Sequence, residues 1–191
     1  MKKFLAAILC AGLIAVTTAG CGYTDALAGN SSTTQETTVA TADEADAEVK
    51  ADSYKDNLNG LCEYFGAKGY ISTKDGKVDE SVMTEMDASL IGAKEGKKFS
   101  TTYGGNSITI ELYEYDTKNL SDKANEIISS VEKNGTFTIL ELPAVKAYMS
   151  DSGKYLMIYT DTSIKDAEPD TTADNYKHRE EVINDFKSFK K

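Results

Sequence analysis

Lys98-Phe99-Ser100-Thr101-Thr102-Tyr103-Gly104-Gly105-Asn106-Ser107-Ile108-Thr109-Ile110-Glu111-Leu112-Tyr113-Glu114-Tyr115 is the stretch on which the fold turns. Successive side chains of a strand point to opposite faces, so Ile108, Ile110 and Leu112 lie on one side of 107–115 and Glu111, Tyr113 and Tyr115 on the other. Lys98–Tyr103 reads as a partner strand, and Gly104-Gly105-Asn106 is a hairpin connection.

On either side the period is helical. Upstream, Tyr54, Leu58, Leu61, Cys62 and Phe65 recur at i, i+4, i+7, i+8 and i+11, with Ser53 as N-cap and Gly66 and Gly69 at the end. Cys62 sits on that apolar stripe and reads as a small buried hydrophobe rather than a reactive thiol. Lys74-Asp75-Gly76-Lys77 is a turn, and Val82, Met83, Met86 and Leu90 indicate a second, shorter helix. Downstream, a helix starting at Ser121 places Ala124, Ile127, Ile128 and Val131 on one face and stops at Asn134-Gly135. Three strands follow at Thr136–Leu140, Val145–Ser150 and Tyr155–Asp161, with Pro143 and Asp151-Ser152-Gly153 in their turns. A polar loop, 162–173, leads to a last helix with Val182, Ile183, Phe186 and Phe189 inward. The order ααββαβββα predicts an α+β fold in two layers: a mainly antiparallel five-stranded sheet with amphipathic helices on one face.

The N-terminus has a different character. Lys2 and Lys3 precede an uncharged, largely apolar run from Phe4 to about Val16, and Thr18-Ala19-Gly20-Cys21 follows. A charged n-region, an h-region too short to span a bilayer and a small-residue cleavage site make an export signal. The cysteine directly after the small residues resembles the lipobox of bacterial lipoproteins, with Thr18 where that motif usually has Leu, Val or Ile. The resemblance implies cleavage between Gly20 and Cys21 and a diacylglyceryl thioether on Cys21. It also implies lipid anchorage on the outer, extracytoplasmic side of the cell membrane. From 21 to 52 the chain is Ser/Thr-rich and acidic, and such a segment buries too little apolar surface to offset chain entropy. It reads as a disordered tether with a reach of roughly 30 Å. The expected organisation is therefore 1–20 signal, 21–52 lipidated tether and 53–191 a single domain.

Charge and cysteine usage narrow the function. The chain has 31 acidic and 21 basic residues and a net charge of -10; loss of Lys2 and Lys3 with the signal takes it to -12. That charge argues against nucleic acid as a partner. Once Cys10 leaves with the signal and Cys21 is lipidated, Cys62 is alone, so no intrachain disulfide forms. The single histidine, His178, excludes a Cys/His metal site and reads as a surface residue. No cofactor is implied. Gly92-Ala93-Lys94-Glu95-Gly96-Lys97-Lys98 fails as a phosphate loop on glycine spacing and on the missing Ser/Thr. Asp161, Asp166, Glu168, Asp170 and Asp174 form an acidic loop without EF-hand spacing.

One constellation is left for binding. Lys146 and Tyr148 oppose Val145, Ala147 and Met149, while Tyr155, Met157 and Tyr159 oppose Leu156 and Ile158. If the aliphatic set faces the helices, then Glu111, Tyr113, Tyr115, Tyr148, Tyr155 and Tyr159 share an open face, suited to a half-wet interface. The expectation is a non-enzymatic, lipid-anchored envelope module that binds a peptide, glycan or protein through that face. A small envelope hydrolase using carboxylates is the alternative. It predicts a deep pocket holding two acids of shifted pKa. A single lobe argues against a two-lobed transport receptor.

Overall fold

The structure, a computed structural model, describes residues 48–140 and 142–191. The expected signal, the expected lipidation site at Cys21 and the expected tether up to residue 47 lie outside the described residues. The described elements run α1 (Leu58–Ala67), β1 (Thr73–Lys74), β2 (Lys77–Val78), β3 (Met83–Glu85), β4 (Glu95–Tyr103), β5 (Asn106–Glu114), α2 (Asp122–Asn134), β6 (Thr136–Phe137), β7 (Val145–Lys146), β8 (Tyr148–Met149), β9 (Tyr155–Asp161) and α3 (Asp174–Ser188). This is the α+β class read from the sequence, around a five-stranded antiparallel sheet of order β3-β4-β5-β9-β8. Two short hairpins, β1–β2 and β6–β7, stand beside it.

The layering differs from expectation. β5 and β9 pair so that Ile110 faces Tyr159, Leu112 faces Met157 and Tyr113 faces Leu156. Paired residues of antiparallel strands share a face. Ile108, Ile110 and Leu112 therefore lie with Met157 and Tyr159 in one core, closed by Leu58, Leu61 and Phe65 of α1 and by Val182, Ile183 and Phe186 of α3. Val49 and Ala51 pack against this core as well. Tyr113, Leu156 and Ala147 lie in a second core, closed by Ala124, Ile127 and Val131 of α2. The helices cover both faces, not one, because each face carries an apolar row that must leave water.

Local chemistry explains the boundaries. Asn57 rather than Ser53 caps α1, its side chain accepting from Gly60 N at 2.8 Å. Ser121 caps α2 through Ala124 N at 3.1 Å, and Gly135 ends it at φ 69°. The helix expected around Val82–Leu90 is instead β3 between two 3-10 turns, Glu80–Val82 and Ala88–Ile91. Asp79 and Asp87 each accept from the backbone N–H and the hydroxyl of the serine two residues on, Ser81 and Ser89. Such local bonds compete with helix extension. The strand expected at 136–140 ends at Phe137. The one at 145–150 breaks at Ala147, where pairing passes from β6 to β9.

A buried carboxylate joins helix to sheet. Glu114, 4 % exposed at the end of β5, accepts from Leu58 N at 2.6 Å, the first N–H of α1. Lys94 and Lys154 each approach its other oxygen at 3.5 Å. Beside it Asp56 accepts from Tyr155 Oη at 2.7 Å and pairs with Lys154 at 3.2 Å. Burial pushes the Asp56 carboxyl up, but the hydrogen bonds from Tyr155 and Lys154 outweigh it and hold the group below its ordinary value. The positive end of the α1 dipole favours the same charge. Replacing Glu114 with Ala removes a charge-assisted cap and strands the Leu58 N–H. We expect a loss of about 2–3 kcal/mol in urea unfolding. An unchanged midpoint would remove this role.

Candidate binding cleft

The six residues expected on one open face are divided and mostly covered. Tyr155 and Tyr159 are 0 % and 6 % exposed, in the core beneath α1 and α3, and half-buried Tyr148 packs against it. Tyr113 and Tyr115 are 5 % and 0 % exposed, in the core beneath α2. Glu111 is half-buried and held by its own chain, accepting from Tyr113 Oη at 2.9 Å and pairing with Lys98 at 3.2 Å. The cause is register. Tyr155 stands opposite Glu114, not Tyr113, so the β9 tyrosines join Ile108 and Ile110. Burial raises the phenol pKa of Tyr113, Tyr115, Tyr148, Tyr155 and Tyr159 alike. These rings are core and form no open ligand surface.

His178 is also not a free surface residue. Its ring stacks on Tyr103, centroids 3.8 Å apart and planes nearly parallel, with the edge of Tyr70 at 5.7 Å. Its neighbour Arg179 is 6 % exposed, donates to Asp166 at 2.7 Å and lies over the Tyr176 ring. In the acidic loop, Asp161 accepts from Ser163, Asp170 accepts from Thr172, and Asp166 is shared by Lys146 and Arg179. These carboxylates organise turns and bind cations of the chain itself. Among the described residues no group of three or more His, Cys, Asp or Glu is placed to hold a metal ion.

An open cleft lies elsewhere, where sequence reasoning proposed nothing. It has a volume of about 760 Å³ and runs between α1, the β1–β2 hairpin and the edge of the sheet at β3 and β4. The floor is apolar: Phe99 from β4, Met83 from β3, Val78 from β2 and Cys62 from α1. Phe99 is fully buried and Cys62 is 2 % exposed. Burial pushes the Cys62 thiol up to about 12, so it packs and does not attack. Gly66 sets the distance between walls. A Cβ there would stand 2.8 Å from Thr73 Cγ2, so glycine lets the hairpin approach α1 this closely without displacing the Thr73 side chain. The rim is polar, with Asn59 and Glu63 from α1, Lys77 from the hairpin, Glu80 beyond it and Lys97 from β4.

Lys97 is the charged group set furthest in. It is half-buried, whereas Lys77, Glu63 and Glu80 are exposed. Its Nζ donates to Asn59 Oδ1 at 2.6 Å. Glu63 and Glu80 are the two acids lining this cleft, and neither is buried. The volume lies in the range of small-molecule sites, and the lining is mixed, apolar at the floor and polar at the rim.

No protein-family model matches the chain, and no curated protein or solved structure matches it significantly.

Burial lowers the pKa of His178 below 6.5, against the opposing charges of Glu181 and Asp161. The folded chain therefore binds fewer protons at this ring than the unfolded chain. Its contribution to stability is complete above about 6.5 and is lost as the pH falls through the lowered value. In urea unfolding between pH 7 and 5, the parent should lose more stability than His178→Gln. Equal pH slopes would sink the assignment.

Proposed function

We propose that this chain is a lipid-anchored binding module of the bacterial envelope, held to the membrane through Cys21, with its ligand site in the cleft between α1, the β1–β2 hairpin and β3–β4. The cleft carries the reading: an open cavity of about 760 Å³ lined by half-buried Met83 and Val78, with buried Phe99 beneath them. The export signal and the Thr18-Ala19-Gly20-Cys21 sequence support the anchor. The acidic stretch 21–52 supports a spacer that keeps a negatively charged body off a negative membrane surface. The hydrolase alternative has no observation in its favour at this cleft, where both acids stand on the exposed rim.

The test is a chemical-shift titration of the isotope-labelled chain against muropeptides, an envelope lipid extract and secreted peptides. Shifts should gather on Asn59, Cys62, Gly66, Val78, Met83 and Lys97, and Gly66→Ala should alter them by moving the hairpin off α1. Shifts confined to the α2 side of the sheet, or none with any fraction, would overturn the cleft as the site. For the anchor, Cys21→Ser should move the protein from the membrane fraction to the soluble one; unchanged membrane retention would refute lipidation.

A further inference from the structure

We infer that the ligand of this cleft is an organic anion with an apolar body, its head group bound at Lys97 and Asn59 and its body laid over Met83 and Val78, above buried Phe99. The inference rests on the cleft being the ligand site.

The argument starts from what Lys97 lacks. Lys98, its neighbour on the other face of β4, pairs with Glu111, and Lys94, Lys146 and Lys154 all pair with carboxylates. Lys97 has no ion pair among the described residues, although it stands opposite Glu85 across the β3–β4 ladder. In a chain with 31 acids and 21 bases, a half-buried lysine is not left unpaired for want of carboxylates. Its one side-chain partner is neutral, the amide oxygen of Asn59.

That bond fixes the chemistry the pair presents. With Oδ1 accepting from Lys97, one lone pair of the Asn59 amide is used, and its NH2 group keeps two N–H donors for a further partner. The ammonium keeps two donors of its own. The corner is therefore rich in donors, carries one positive charge and sits against an apolar floor. A carboxylate head completes it; an ammonium is repelled, and a neutral hydroxyl forms weaker bonds there. The floor gives no partner to polar atoms beyond the head, so the remainder of the ligand is aliphatic or aromatic. Two sources share this chemistry, a fatty acid and a short peptide ending in an apolar residue.

The experiment titrates the labelled full chain with decanoate, N-acetylphenylalanine, decanol and decylamine. Decanoate or N-acetylphenylalanine should shift Asn59, Lys97, Met83 and Phe99 and bind at least about tenfold more tightly than decanol. Which of the two acids binds better separates the lipid from the peptide source. Lys97→Met keeps the apolar stem and removes the charge. It should abolish the preference for the acids, and Lys97→Arg should restore it. An unchanged thermal midpoint in both variants shows that the fold is intact. Equal binding of decanol and decanoate, insensitive to Lys97→Met, overturns the anion inference and leaves the cleft standing. A cleft that no probe and no envelope fraction shifts overturns the site itself, and the inference with it.

Discussion

Everything on the α1 side of this protein depends on one buried carboxylate. Glu114 closes the inner end of β5 and at the same time receives the first N–H of α1. A helix of ten residues is marginal alone. Here its start is fixed by a charge that two lysines compensate from the solvent side. Fixing that start fixes the angle at which Leu58, Leu61 and Phe65 meet the sheet, and hence where Cys62, Gly66 and Asn59 stand. The cleft is the space left between a helix oriented in this way and an edge strand, β3, too short to fill the gap. Glu114 lines no part of it and still determines its shape.

Much of the fold was legible because amphipathic elements announce themselves. The Lys98–Tyr115 hairpin, the Ser121 cap, the Gly135 stop and the apolar stripe of α3 all follow from periodicity and end chemistry. Register was not legible. Alternation tells which residues of one strand share a side, but it does not set the phase between strands. Assigning Leu156 and Ile158 to the side of Ile108 and Ile110 grouped the tyrosines on one face, whereas Tyr155 stands opposite Glu114 and Leu156 opposite Tyr113, which turns β9 over. The spacing of Val82, Met83, Met86 and Leu90 misled for a different reason. It mimics a helical stripe while Asp79 and Asp87 bond to Ser81 and Ser89 and break the backbone into short turns.

The cleft had no signature because its walls come from separate stretches, 54–67, 73–83 and 97–99, none unusual alone. The one available signal was the pair Lys97-Lys98. Strand alternation requires these two lysines to face opposite ways, so a single acidic neighbour such as Glu111 serves only one of them. The other had to find a partner on the α1 side. Reading adjacent like charges in a strand as a question about two separate environments would have pointed to Asn59.

The division of the sheet into two covered faces also orders events in time. The core under α2 draws on residues from Met86 to Ile158, so its contacts close over modest loops. The core under α1 and α3 joins Leu58 to Phe189, near opposite ends of the described chain. Closing a loop that long carries the greater entropy loss, and contacts of such separation form slowly. One face of the sheet can thus be buried while the other still presents Ile108, Ile110 and Tyr159 to water. Until α3 docks, that apolar surface stays open, and during this interval it is exposed to misassociation with neighbouring chains.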